Sequence, residues 1–90
     1  MIFSKSKEST FEKYIIENKE KAYKISFVYL KNKENALEVV QESVVKAYSK
    51  LNTLKDIEAL DKWFIKILVN TALDFIRKSS KTIALSLIHI

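Results

Sequence analysis

The chain has no cysteine, no proline and no glycine in its 90 residues, and a single histidine. Without cysteine there is neither a disulfide framework nor a thiolate metal site, a pattern that fits a reducing compartment. The lone histidine is His89, one residue from the end, so nucleophile–histidine–acid triads and histidine metal centres have no foundation in the body of the chain. Without glycine and proline the usual punctuation of strands and hairpins is missing. The opening MIFSKSKEST lacks the apolar run of a signal peptide, and no stretch is long and apolar enough to span a bilayer. The expectation is a soluble, cytoplasmic protein with no membrane contact, no bound metal and no cofactor.

What is present is enough for a core. Hydrophobic residues make up 48% of the chain and aromatics 11%, which places it with folded single domains rather than disordered tails. Sixteen Lys and Arg against eleven Asp and Glu leave a net charge of +5, unevenly spread. Residues 1–33 carry eight basic and four acidic groups, residues 34–61 three and six, residues 62–81 five and one. Basic ends would attract a polyanion, whereas the acidic middle would repel it and suit a basic protein surface.

Apolar residues recur at three and four positions, which reads as all-α, a small bundle of three main helices. The first is expected from Ser9, where S-T-F-E sets Glu12 three residues after a capping serine, to about Leu30. Its wide apolar side collects Phe11, Ile15, Ala22, Ile25 and Tyr29. KNKEN breaks the pattern and offers Asn32 or Asn35 as the next cap. The second helix is expected from about Glu34 to Leu51. NTLKDIEA is then the irregular connection, with Asp56 as a cap, and the third helix runs from about Glu58 to Ser80, ending in the cationic RKSSK. The remaining TIALSLIHI has no usable period. It reads as a truncated linker or non-native residues, which leaves 1–81 as the domain and 82–90 as a tail.

At about 100° per residue, the second helix gathers Ala36, Leu37, Val40, Val44, Ala47, Tyr48 and Leu51 on a core side. Its other side holds Glu34, Glu38, Gln41, Glu42, Val45 and Ser49, an exposed valine among carboxylates. That side is either a solvated face of mutually repelling charges or a docking surface. A di-metal carboxylate site is disfavoured because no Glu-x-x-His accompanies it. The third helix has the opposite sign: Phe64, Ile65, Leu68, Ala72, Phe75 and Ile76 form the core side, and Lys62, Trp63, Lys66, Asn70, Arg77 and Lys81 the other. An indole among cations and an amide suits unpaired nucleic acid, because cations neutralise phosphates while the ring stacks on a base. The competing reading is a boundary tryptophan packed beneath the first helix or the 52–57 loop.

These residues match a known pattern. ENALEVVQESVVKAYSKL resembles the Asp-Ala-Glu-Asp-Val-Val-Gln-Glu-x-Phe-x-Lys-Ala-Tyr pattern of region 2.2 of bacterial sigma factors. DKWFIKILVNTALDFIRKSSK resembles regions 2.3 and 2.4 of the extracytoplasmic-function group of the sigma-70 family. Order and spacing agree from about Phe11 to Lys81. The resemblance implies a domain 2 that docks on the clamp helices of the largest catalytic subunit of RNA polymerase and captures the −10 promoter element as a single non-template strand. On that footing Glu38, Gln41, Glu42 and Val45 fall on the polymerase-docking face. Lys62, Trp63, Lys66, Asn70, Arg77 and Lys78 fall on the promoter-melting and −10 recognition helix. Asp74 is expected to pair locally with a basic side chain rather than meet DNA, and the 52–60 connection matches the loop that receives a flipped base. Two positions depart from the pattern: Leu37 stands where a carboxylate is usual and Val44 where an aromatic is common.

The function implied is promoter recognition and polymerase binding in transcription initiation, without enzymatic activity, with an anti-sigma factor as a further candidate partner. The family's domain 4, which reads the −35 element, is absent from these residues, so the chain by itself is not expected to direct transcription efficiently. The alternative is a helical interaction module, anti-sigma-like or adaptor, that uses the acidic face alone and has no need of Trp63 or Lys66. A membrane-surface binder is disfavoured because the basic helix lacks the broad apolar face that would insert.

Overall fold

The computed structural model describes residues 6–88, with side chains through Ser79. Three helices follow one another, α1 (Lys7–Leu30), α2 (Lys33–Ser49) and α3 (Leu60–Ile88), and two short 3₁₀ turns, Leu51–Thr53 and Ile57–Ala59, lie in the connection before α3. The helix count and the placing of the irregular connection agree with the periodicity. Among the described residues there is no strand, and no helix is long and apolar enough to cross a membrane.

The ends differ in detail from the sequence expectation, for local reasons. The cap of α1 is Ser6, not Ser9: its extended backbone lets the side chain accept from the Ser9 amide at 3.1 Å. An equally good capping residue lay three positions earlier, and the helix took the longer option. Asn32 caps α2, accepting from the Asn35 amide at 2.8 Å, and Asp56 caps the second 3₁₀ turn through the Glu58 amide at 3.0 Å. Between Leu30 and Lys33 only two residues reverse the chain. Lys31 takes the left-handed region, φ 55° and ψ 26°, and its amide donates to Phe27 at 2.7 Å. The third helix does not end near Ser80 but continues to Ile88. No glycine, proline or capping motif stands there to stop it. The side chain of Lys81 and all of His89 lie outside the described residues.

The core lies where all three helices meet. Phe11 from α1, Val39 and Ala47 from α2, and Phe64, Leu68 and Ala72 from α3 are buried together, and Leu51, Leu54 and Leu60 pin the connection beneath them. Phe11 and Phe64 meet tilted at 6.1 Å, and Tyr14 meets Phe64 edge-on at 5.7 Å. Two apolar faces sit differently from their sequence assignment. On α2 the buried row is Ala36, Val39, Ser43 and Ala47, while Leu37 is 48% and Tyr48 50% exposed. Helix α2 packs on both α1 and α3. Three of the four side chains on its buried row are small, the fourth being Val39, and the larger Leu37 and Tyr48 lie on the flank. The same holds on α1, where Ala22 and Ser26 are buried and Tyr29 is exposed. Ser43 donates its hydroxyl to the Val39 carbonyl at 2.7 Å, whereas the buried Ser26 hydroxyl has no partner among the described residues.

Candidate functional site

Two helix surfaces and one cleft carry the chemistry. On α2 the sequence places Glu38, Gln41, Glu42 and Val45 within two turns on one side. Glu38 and Gln41 are exposed, and Val45 is 69% exposed, a large apolar side chain with no core role. Glu42 is partly buried, with Oε2 3.2 Å from Lys46 Nζ. Beside this polar strip lies an apolar groove of about 390 Å³ lined by Phe11, Glu12, Ile15, Ile16, Val44 and Tyr48. Sequence reasoning missed the groove because it assigned Val44 and Tyr48 wholly to the core.

On α3, Lys62, Lys66, Asn70, Arg77 and Lys78 are exposed, while Trp63 is partly buried and packs against the core. The indole is thus partly packed against the core and partly open. Asp74 pairs locally, 3.2 Å from Lys78 Nζ and 3.7 Å from Arg77, as expected. The Lys78 ammonium, then Arg77 beside it, holds the Asp74 carboxyl below the usual carboxylate range. The structure also brings Lys46 and Lys50 of α2 into one cleft with Asn70, Asp74 and Arg77, about 260 Å³ in size. Lys46 donates to Thr71 Oγ1 at 3.4 Å, and Thr71 in turn donates to the Ile67 carbonyl at 2.7 Å. The i,i+4 lysines of K-A-Y-S-K were the available signal for this second row of cations, and only the packing of α2 on α3 gives it meaning.

The connection is held from α1. Lys7 Nζ donates to the Leu54 carbonyl. Further on, Asp61 Oδ1 accepts from the Tyr14 hydroxyl at 2.6 Å and from Lys21 Nζ at 2.9 Å. Partial burial, then the bond to Asp61 and that residue's negative charge, pushes the Tyr14 phenol well up. Asp61 is held low by the Tyr14 hydrogen bond first and by Lys21 second. A cleft of about 460 Å³ opens beside this contact, walled by Thr10, Lys13, Tyr14 and Glu17 from α1 and by Ile57 and Glu58 from the connection. Contacts between residues some forty positions apart have no periodic signal, and the sequence did not disclose them.

The family model of Sigma-70 region 2 matches residues 5–82. The chain belongs to the sigma-70 region 2 family. It is similar to the RNA polymerase sigma factor SigV of Bacillus subtilis (strain 168), 46% identical over 67 residues that cover 74% of this chain and 40% of that protein. The resemblance drawn from V-V-Q-E and W-F-x-K-I is therefore borne out at the level of the family. This sigma region 2 spans 40% of the length of the curated relative it matches. No solved structure matches the chain.

Proposed function

We propose that this sigma region 2 docks on RNA polymerase core through α2 and captures the −10 promoter element, as an unpaired non-template strand, through α3. The observation that carries the reading is the presence, on adjacent helices of one small bundle, of two exposed faces of different chemistry. One joins Glu38, Gln41, Glu42 and an exposed Val45; the other joins Trp63 to Lys62, Lys66, Asn70, Arg77 and Lys78. A polar strip with one exposed apolar side chain suits a protein surface, where charge fixes register. The clamp helices of the largest catalytic subunit are the partner, and the groove at Ile16 and Tyr48 widens that docking surface. A half-open indole among cations suits a strand whose bases are free to stack. Lys46 and Lys50 extend the phosphate-neutralising surface from α3 onto α2. By the same reading, the cleft between the connection and α1 receives a flipped base. The protein works in the cytoplasm, within the extracytoplasmic-function group, and an anti-sigma factor competing for the α2 face would regulate it. A role as a helical adaptor without DNA binding leaves the cationic face of α3 unexplained.

The deciding experiment is retention of the chain by core polymerase, wild type against Gln41→Ala combined with Glu42→Lys, followed by binding of a single-stranded −10 oligonucleotide. The double variant should stay helical, because neither side chain belongs to the core, and should lose core binding. Undiminished core affinity in that variant would remove the docking assignment.

A further inference from the structure

The proposed single-strand surface begins at Lys62 and Trp63, and the residue just before them is gripped from another helix. Tyr14 and Lys21, two turns apart on α1, converge on one carboxylate oxygen of Asp61, at 2.6 and 2.9 Å. The ring of Tyr14 meets Phe64 edge-on at 5.7 Å, and Phe64 is buried. Residues 61 and 64 lie three apart, on neighbouring positions of one side of α3. A single α1 side chain therefore holds that side at two points, one polar and one apolar. Lys62, Trp63 and Lys66 lie elsewhere around the same two turns.

We infer that Tyr14 and Lys21 are positioning residues for the nucleic-acid surface: through Asp61 they fix the rotation of α3 about its own axis, and with it the bearing of Trp63 and the flanking lysines. This inference rests on the proposed single-strand reading. The lever is geometric. Turning a helix by about 20° carries a side-chain tip at its rim through about 2 Å, enough to spoil base stacking and phosphate contacts together. Apolar burial at Phe64 is non-directional and resists separation of the helices more than a small rotation, and the edge-on ring pair adds a geometric preference of modest size. A directed hydrogen bond on the adjacent side-chain position removes that freedom. The Lys21–Asp61 pair is about half exposed, 48% and 52%, so screening leaves it little weight in global folding. Its effect is on orientation. The other ion pairs of α3, Asp74 with Arg77 and with Lys78, lie within the helix itself and cannot serve this purpose. Nothing but α1 holds the first turn through a side-chain hydrogen bond among the described contacts.

The chain has one tryptophan, so its fluorescence reports this surface alone. The test compares wild type with Tyr14→Phe, Lys21→Met and Lys21→Arg by acrylamide quenching of Trp63, thermal melting, core-polymerase binding and titration with a single-stranded −10 oligonucleotide at several salt concentrations. Tyr14→Phe keeps the ring against Phe64 and removes only the hydroxyl. It should weaken single-strand binding by about three- to tenfold, the size expected for one lost hydrogen bond, and should change the quenching of Trp63. Core-polymerase affinity and the salt slope should stay as in wild type. Lys21→Met should act in the same direction, and Lys21→Arg should restore binding. A role confined to folding would instead lower melting temperature and core affinity together, with quenching of the folded protein unmoved, and would overturn the inference. So would unchanged binding in both Tyr14→Phe and Lys21→Met, or a reduced salt slope in Lys21→Met, which would make that lysine a phosphate contact. A wild-type chain that binds no single strand even on core polymerase would remove the proposed function and this inference with it. Normal wild-type binding with unaffected variants would remove the inference alone.

Discussion

Trp63 shows how one side chain divides its work. A fully buried indole would be explained by the core, and a fully open one by a ligand; this ring packs against the cluster around Phe64 and Leu68 yet remains partly accessible. Trp63→Ala should therefore cost folding stability on the order of 2 kcal/mol, about half of what emptying a fully buried aromatic site costs. It should also cost about 1–3 kcal/mol of single-strand binding if a base stacks on the open part. Denaturation and oligonucleotide titration on the same folded variant separate the two. Lys66→Ala is the comparison: loss of one phosphate contact should leave stability alone, weaken all sequences alike and reduce the salt slope by about one. A Trp63→Ala protein that folds and binds normally would show the indole to be incidental.

At the scale of elements, the α1–α2 reversal is the place where local chemistry and backbone geometry disagree. Lys31 holds a left-handed conformation without being glycine, in a chain that contains no glycine. A side chain with Cβ in that region costs roughly 1 kcal/mol. Asn32, next to it, supplies the capping oxygen for α2. Opposite outcomes follow for neighbouring substitutions: Lys31→Gly should raise stability by about 1 kcal/mol, and Asn32→Ala should lower it by about 1 kcal/mol. Urea denaturation of the two variants checks both; equal effects of the same sign would show that the reversal is held by packing instead. The three helices were legible because a 3.6-residue period survives in each and nothing interrupts it. The buried face of α2 was not, since a helical wheel weighs hydrophobic bulk, whereas the row that α2 buries is Ala36, Val39, Ser43 and Ala47, with Leu37 and Tyr48 outside it. Both proposed interfaces could be read because exposed faces keep their charge pattern in sequence. The Tyr14–Asp61–Lys21 contact and the approach of Lys46 to Thr71 could not, being products of helix packing across long sequence separations.

For the molecule as a whole, the polar contacts that tie α1 to α3 are one place where stability responds to pH. Asp61 titrates below its unfolded value because Tyr14 and then Lys21 favour its charged form. Its contribution is present above the unfolded carboxylate range, near about 4, and is lost as pH falls through the lower folded value. Tyr14 is displaced upward, by burial first and by Asp61 second. Its contribution is complete below the unfolded phenol value of about 10 and is lost as pH rises beyond it towards the folded value. The two groups thus bracket a broad interval in which the α1–α3 contact keeps one protonation state. The difference in melting temperature between wild type and Tyr14→Phe should be constant from about pH 5 to 9 and shrink above about pH 10. That between wild type and Asp61→Asn should be constant over the same interval and shrink below about pH 4. Circular dichroism melts across pH measure both. If the Tyr14→Phe difference persists unchanged at alkaline pH, the hydroxyl is not what couples α1 to the first turn of α3, and the remaining contacts, Phe11 and the Tyr14 ring on Phe64 and Lys21 on Asp61, hold the two helices in register.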